Sequence, residues 1–225
     1  MVVPRAEECP VSLLATAGLD SIALRVPAHP VAHELLSKVA RPIAAPSANR
    51  SGRISPTAPE HVIASLGGRI DMVLDGGKCG IGLESTIVSC LASPPVLLRP
   101  GGIAREAIEE MLGRTLAIDK DDGEMPVAPG QLKSHYAPRA AVRMNAMDPR
   151  DGEALLAFGP DLPAHDAMMC NLSESGDLSE AAANLFAMLH ELDASGAAGI
   201  AVMPIPQIGL GLAINDRLNR ASAER

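Results

Sequence analysis

The sequence predicts an α/β protein of two blocks joined by an irregular stretch, and three observations lead there. Short apolar runs alternate with helix-period segments along both halves. Helix starts and stops carry their own signals, as in Thr57-Ala-Pro-Glu60 followed by Gly67-Gly68. Between residues 116 and 140, charge, proline and glycine displace any periodicity. The expected division is 1–115, a linker over 116–140, and 141–225. At 225 residues, 47% of them hydrophobic, the chain is long enough to bury a core.

In the first block, Met1-Val-Val-Pro-Arg5 reads as a strand from within a sheet, and Ser21–Val26 as an apolar strand containing Arg25. Pro30–Ala40 carries apolar residues at 31, 35, 36 and 39, which is helical spacing. Ile43–Pro46 is a short apolar piece that runs into Ser47-Ala-Asn-Arg-Ser-Gly52. A capping box at Thr57 and Glu60 predicts a helix ending at Gly67. Strands are expected at Asp71–Leu74, Ser85–Cys90 and Val96–Leu98, then a helix over Ile103–Leu112 stopped by Gly113. The second block opens with a strand at Ala154–Phe158 and an apolar piece at Ala167–Cys170. Asp177-Leu-Ser-Glu180 caps a long helix with Ala181, Leu185, Met188, Leu189 and Leu192 on one face. A buried strand at Gly199–Met203 and a final amphipathic helix from Leu210 complete it, and the alternation implies mostly parallel pairing.

Composition excludes several functions. Tyr136, Phe158 and Phe186 are the only aromatics, too few to stack single-stranded nucleic acid. With 19 Lys+Arg against 27 Asp+Glu, the net charge of −8 gives no basic footprint, so direct DNA binding is not expected. No apolar run reaches the ~18–20 residues of a membrane span, and no signal-peptide pattern appears. Cys9, Cys79, Cys90 and Cys170 lack metal-ligand spacing and read as free thiols, so a soluble cytoplasmic protein is expected. His29, His33 and Glu34 are in the wrong order for a metal helix motif. Asp119, Asp121 and Gly123 faintly suggest a calcium loop, but Gly130 stands where a bidentate Glu is needed. Gly209-Leu-Gly211 is too short to mark a dinucleotide site.

Four segments remain that would carry chemistry. The loop from Ala45 to Gly52 can offer hydroxyls and backbone N–H groups to an anion, although an ordinary polar turn reads the same way. Gly80–Val88 brings a Ser-Thr pair into a strand, and Arg99 closes the next strand before Pro100-Gly101. Arg25, inside an apolar strand, calls for either a structural salt bridge or a ligand carboxylate. Ala128–Pro138 is too structured for a passive linker, since it holds His135 and Tyr136 among helix breakers.

Taken in order, Pro-Ser-Ala-Asn-x-Ser-Gly (46–52), Ser-Pro-Thr (55–57), Asp-Gly-Gly (75–77), Gly-Leu-Glu-Ser-Thr-Ile (82–87), Leu-Arg-Pro-Gly (98–101) and Ala-Pro-Gly…His-Tyr-Ala-Pro (128–138) resemble the threonylcarbamoyl-AMP synthases. The match is to the long form, which carries a C-terminal domain, and Gly-Leu-Ala-Ile-Asn-Asp-Arg-Leu (211–218) resembles that domain's last helix. The resemblance implies part of a YrdC-like twisted mixed sheet with helices, followed by a small Rossmann-like parallel α/β domain. It implies an enzyme, a nucleotidyltransferase that converts L-threonine, bicarbonate and ATP, with Mg²⁺ on the phosphates, into threonylcarbamoyl-AMP and pyrophosphate. The product would pass to a tRNA-modifying complex. Arg25 and Ser85 would bind threonine, and Ser21, Ala45, Ser47, Asn49, Ser55, Arg99 and Tyr136 would bind ATP. Positioning and charge neutralisation suffice for this chemistry, so neither a protein nucleophile nor a metal ligand is expected.

The family's Pro-Thr-x-Thr-x-Tyr-Gly-Leu and Lys-x-Arg motifs are not in these 225 residues, so an N-terminally truncated synthase is expected, one that binds nucleotide weakly and does not turn over. A catalytically incompetent nucleotide-binding or regulatory remnant and a double-stranded RNA-binding module are the alternatives. Two spatial expectations follow. The 45–55 loop, Arg25, Ser85 and Arg99 should converge on one concave surface of the first block. His135 and Tyr136 should fold back near the 45–55 loop.

Overall fold

The computed structural model describes residues 1–118 and 134–223, so the calcium-loop positions Asp119, Asp121, Gly123 and Gly130, and the 128–133 part of the linker, lie outside the described residues. The first block is a mixed five-stranded sheet of β1 (Val2–Pro4), β2 (Ser21–Ala23), β3 (Ile87–Ser89), β4 (Val96–Arg99) and β5 (Ala117–Ile118), in the order β2-β1-β3-β4-β5. β1 pairs antiparallel with β2 and parallel with β3, and β4 runs antiparallel to β3 and parallel to β5. Helices α1 (Pro30–Val39), α2 (Pro59–Leu66) and α3 (Arg105–Leu112) accompany it. The second block is a four-stranded parallel sheet, β6-β9-β7-β8, made of β6 (Ala141–Arg143), β7 (Glu153–Ala157), β8 (Met169–Asn171) and β9 (Gly199–Val202), with α4 (Leu178–Ala194) and α5 (Leu210–Ser222). Among the described residues no helix is long and apolar enough to cross a membrane.

The two blocks are packed very differently. Leu185, Phe186, Leu189 and Leu192 of α4 are at most 1% exposed, in a helix packed against β7, β8 and α5. Each fully buried side chain of that size contributes about 1.5–3 kcal/mol. None of α1, α2 and α3 has a buried residue, and the first sheet's own core is Val88, Leu97 and Leu116 with Ile108 against them. Leu14, Val26, Met72 and Met111 are 81–91% exposed. The four cysteines are free thiols.

Several expected elements change. The run 71–74 forms no strand, and β2 stops at Ala23, short of the expected Val26. Thr57 is not the cap of α2: Ala58 is, while the Thr57 N–H donates to His61 Nδ1 at 3.3 Å. Asp177 does cap α4, accepting from Ser179 and Glu180 N–H at 2.7 and 2.8 Å. The Glu180 carboxylate, though, accepts from Ser173 Oγ, which in turn accepts from Asp177 N–H at 2.9 Å. The cap therefore ties the β8–α4 loop to the helix. β5 and β6, at the two ends of the expected linker, are strands that short apolar runs do not reveal. Gly199 on β9 leaves room beside Glu153, which forms a two-pronged ion pair with Arg143 at 2.9 and 2.6 Å across the sheet.

Candidate active site at the seam between the blocks

The site is built around the turn at 82–86, which is clasped from both sides. A Cβ on Gly82 would lie 2.3 Å from the Ala183 carbonyl oxygen of α4, so glycine alone lets this turn dock on the helix backbone. A Cβ on Gly101 would lie 2.4 Å from both the Glu84 oxygen and the Thr86 nitrogen. The glycines of the Gly-Leu-Glu-Ser-Thr and Leu-Arg-Pro-Gly runs thus mark close approaches of backbone. Gly102 N–H donates to the Glu84 carbonyl at 2.9 Å, and Thr86 Oγ1 donates to the Ile103 carbonyl at 2.6 Å.

Ser85 is where two arginines meet. Arg25 Nη1 donates to its Oγ at 3.4 Å across 60 residues of chain, and Arg99 Nη2 donates to its carbonyl at 2.7 Å. Arg25 lies two residues beyond β2 and is exposed, which corrects the expectation of a charge inside an apolar strand. It carries no burial cost, and its guanidinium is open to an anion. Arg99, at the end of β4, is 8% exposed. Burial, then the nearby Arg217 charge, lowers its pKa.

Behind Ser85, Glu84 links the turn to both blocks. Ser55 Oγ donates to Glu84 Oε1 at 2.6 Å, and Arg217 Nε of α5 donates to Glu84 Oε2 at 2.8 Å. Arg217 is fully buried and also pairs with Asp216, which Arg220 holds at 3.0 Å. Burial alone would raise the Glu84 pKa, but the Arg217 charge and the Ser55 and Arg217 hydrogen bonds outweigh it and hold the carboxyl below the usual range.

In the 45–55 loop, Asn49 Nδ2 donates to the carbonyls of Arg50 and Arg53, both at 3.0 Å, closing a turn. Ser47 and Ser55 line a cavity of about 360 Å³ whose walls include Thr57, Leu74, Glu84 and Phe186. Phe186 belongs to α4, so the concavity sits at the seam and not on the first block alone, a correction to the expected surface. Arg25, Ser85, Arg99 and Tyr136 do not line the cavity. Arg25, Ser85 and Arg99 connect to it through Glu84. Ser21 is half-buried opposite Pro4, and Ala45 is exposed; among the described residues no hydrogen bond joins either side chain to the cluster.

The His-Tyr segment does return to the 45–55 loop, since Ala137 N–H donates to the Gly52 carbonyl at 2.9 Å. Its ring goes further. Tyr136 is 1% exposed, stacks on Phe186 at 5.5 Å and lies 5.3 Å from the Arg217 guanidinium carbon. A deeply buried tyrosine at φ +61° is an unusual backbone state, held here by contacts from both blocks.

Comparison with known proteins agrees with this architecture. A family model described as telomere recombination matches residues 1–101, and one for the threonylcarbamoyl-AMP synthase C-terminal domain matches 103–223. The chain is 38% identical to the threonylcarbamoyl-AMP synthase of Pyrococcus abyssi, over 100% of this chain and 70% of that one. The chain belongs to the threonylcarbamoyl-AMP synthase family. It is also 38% identical to the Bacillus subtilis threonylcarbamoyl-AMP synthase over 93% of this chain, and that match spans 65% of the relative's length. The crystal structure of P. abyssi Sua5 complexed with L-threonine superposes with a TM-score of 0.86 at 36% identity, over 98% of this chain and 69% of that chain.

Reasoning from sequence about this synthase-family chain missed Glu84 and Arg217 as a pair. The signal was present in Arg217, a charge on the apolar side of an amphipathic helix, but its partner lies 133 residues away. His190 was missed as well. Its Nε2 donates to the Ser55 carbonyl at 3.1 Å, and its ring stacks on His61 at 4.0 Å. His29, set aside as a metal ligand, donates instead to the Gly76 carbonyl at 3.2 Å.

Proposed function

We propose that these residues serve L-threonylcarbamoyladenylate synthesis, in which L-threonine, bicarbonate and ATP give threonylcarbamoyl-AMP and pyrophosphate for threonylcarbamoyladenosine modification of tRNA in the cytoplasm. The observation that carries the reading is the meeting of Arg25 and Arg99 on Ser85. One exposed guanidinium suits the threonine carboxylate, the Ser85 hydroxyl suits the amino acid's polar groups, and a second guanidinium next door suits a phosphate. Ser21, Ala45, Ser47, Asn49, Ser55, Arg99 and Tyr136 form the nucleotide side of this reading.

The threonine amine captures bicarbonate as a carbamate with loss of water, and a carbamate oxygen attacks the α-phosphorus while pyrophosphate leaves. The protein's share is to bring the two substrates together and neutralise phosphate charge. Mg²⁺ would be held by the nucleotide's phosphates; the described residues bring no group of three or more His, Cys, Asp or Glu together to cage it. The product would pass to a tRNA-modifying complex.

Calorimetric titration with L-threonine and with ATP tests the assignment, alongside pyrophosphate release dependent on threonine and bicarbonate. Arg25→Ala and Ser85→Ala should each weaken threonine about tenfold or more and leave ATP binding nearly unchanged, because a charge-assisted hydrogen bond contributes about 1.5–3 kcal/mol. Arg99→Ala should weaken ATP more than threonine, with some loss of threonine binding because Arg99 also holds the Ser85 carbonyl. Threonine binding insensitive to both Arg25 and Ser85 would sink the assignment.

A further inference from the structure

We infer that Arg217 of α5 is a positioning residue for the threonine side of the site: held in the second block, it orients Glu84 and so fixes the turn that presents Ser85. The inference rests on the reading of the site given above. Arg217 touches none of the residues assigned to threonine, and its reach is through one carboxylate. Both oxygens of Glu84 are engaged, one by Arg217 Nε at 2.8 Å and the other by Ser55 Oγ at 2.6 Å. That leaves the side chain a single orientation. The next residue is Ser85, whose hydroxyl faces Arg25 and whose carbonyl faces Arg99. The Glu84 carbonyl is fixed from the opposite strand end by Gly102 N–H at 2.9 Å. The turn is thereby held at its backbone by the first block and at its side chain by the second.

Packing alone does not require this arrangement. A fully buried guanidinium is costly to desolvate, and its Nη2 has no hydrogen-bond partner among the described residues. An apolar side chain of similar size would join α5 to its neighbours without that cost. What the ion pair adds is direction, since a planar guanidinium bonded to one carboxylate oxygen sets both distance and angle. The turn is also close to α4, where Gly82 meets the helix backbone and Leu83 enters the second block's core. Three consecutive residues, 82 to 84, are thus placed by the second block directly before Ser85.

The test uses the 225-residue chain with the pair made uncharged, Glu84→Gln with Arg217→Met, and separately Arg217→Lys. Three readouts apply: melting temperature, amide hydrogen exchange at 83–86 and Gly102, and L-threonine affinity by calorimetry. Removing both charges avoids stranding a buried carboxylate, so the double variant should melt within a few degrees of the parent. Its exchange at 83–86 and Gly102 should rise about tenfold or more, with α4 and β9 amides unchanged, and its threonine affinity should fall about tenfold. Arg217→Lys, which keeps the charge without the fork, should fall between. Should the double variant fail to fold, the lysine variant decides by the same measures. Exchange and affinity both unchanged would overturn the proposal and leave Arg217 a packing residue. A parent chain that binds no threonine would sink the substrate reading instead, and the exchange measurement would still decide whether Arg217 orders the turn.

Discussion

Tyr136 shows how one side chain comes to serve two blocks. Its ring fills a gap between Phe186 and Arg217, while its neighbour Ala137 is tied to Gly52. As an open nucleotide cover, it would be expected to leave stability untouched when truncated. A residue 1% exposed cannot be removed so cheaply. Tyr136→Ala should cost about 3–5 kcal/mol, as large aromatic truncations in cores do, and lower the melting temperature measurably. Tyr136→Phe keeps the ring and should cost far less, and calorimetric melting of the two variants separates them. At Gly101 the constraint is backbone against backbone, because a Cβ would strike the Glu84 oxygen and the Thr86 nitrogen at 2.4 Å. Gly101→Ala should therefore displace the 84–86 turn and weaken threonine binding about as much as losing Ser85.

At the scale of elements, α2 and α4 meet through two stacked imidazoles, His61 and His190. Burial lowers the pKa of both: at His61 the nearby Glu60 opposes the shift and Lys78 adds to it, and at His190 the His61 charge adds to it. A histidine whose folded pKa is depressed binds its proton more readily when unfolded. The neutral pair is therefore fully accommodated above about pH 6.5, and stability is lost as pH falls below that value toward the folded pKa values. His190→Gln, which keeps a donor for the Ser55 carbonyl, should flatten the dependence of melting temperature on pH between about 5 and 7. Glu153 acts at lower pH, since the Arg143 hydrogen bonds hold its carboxyl at about 2. Its contribution to the parallel sheet is present above the ordinary carboxylate pKa and fades as pH falls toward 2. The cap of α4 is a third element-scale test: Asp177→Ala should cost about 1 kcal/mol by thermal melting.

Across the whole molecule, stability is concentrated in the second block. Its sheet, α4 and α5 contribute most of the fully buried side chains, and the helices of the first block contribute none. Opening free energies should follow that contrast. Native-state hydrogen exchange should show β7, β9 and α4 exchanging only on global unfolding, and α1 to α3 opening at much lower denaturant. Exposed Leu14, Val26, Met72 and Met111 should bind an apolar dye in the native state. Uniform protection across both blocks would contradict this division. The candidate site lies where the two regimes meet, its turn clamped to the rigid side.

What could be read from residue order was local. The helix over 30–39, the Gly113 stop, the Asp177 cap and the α4 face of Ala181, Leu185, Leu189 and Leu192 depend on spacings of a few residues, which sequence displays directly. The six motifs pointed to the family and contained Ser85 and Arg99, and the resemblance added Arg25; the structure brings the three together. Thr57 failed as a cap because the helix starts one residue later, after Ala58, and the Thr57 hydroxyl lies beside His61 Nδ1 at 3.4 Å. The run 71–74 failed as a strand although its apolar residues matched the pattern. β5 and β6 were invisible because two or three residues carry no period and gain their pairing only from β4 and β9. Arg217 with Glu84, His190 with Ser55, and Tyr136 with Phe186 could be decided only by tertiary structure. Each pair joins residues that no spacing rule connects, and a buried charge or ring states its need for a partner without saying which distant residue will meet it.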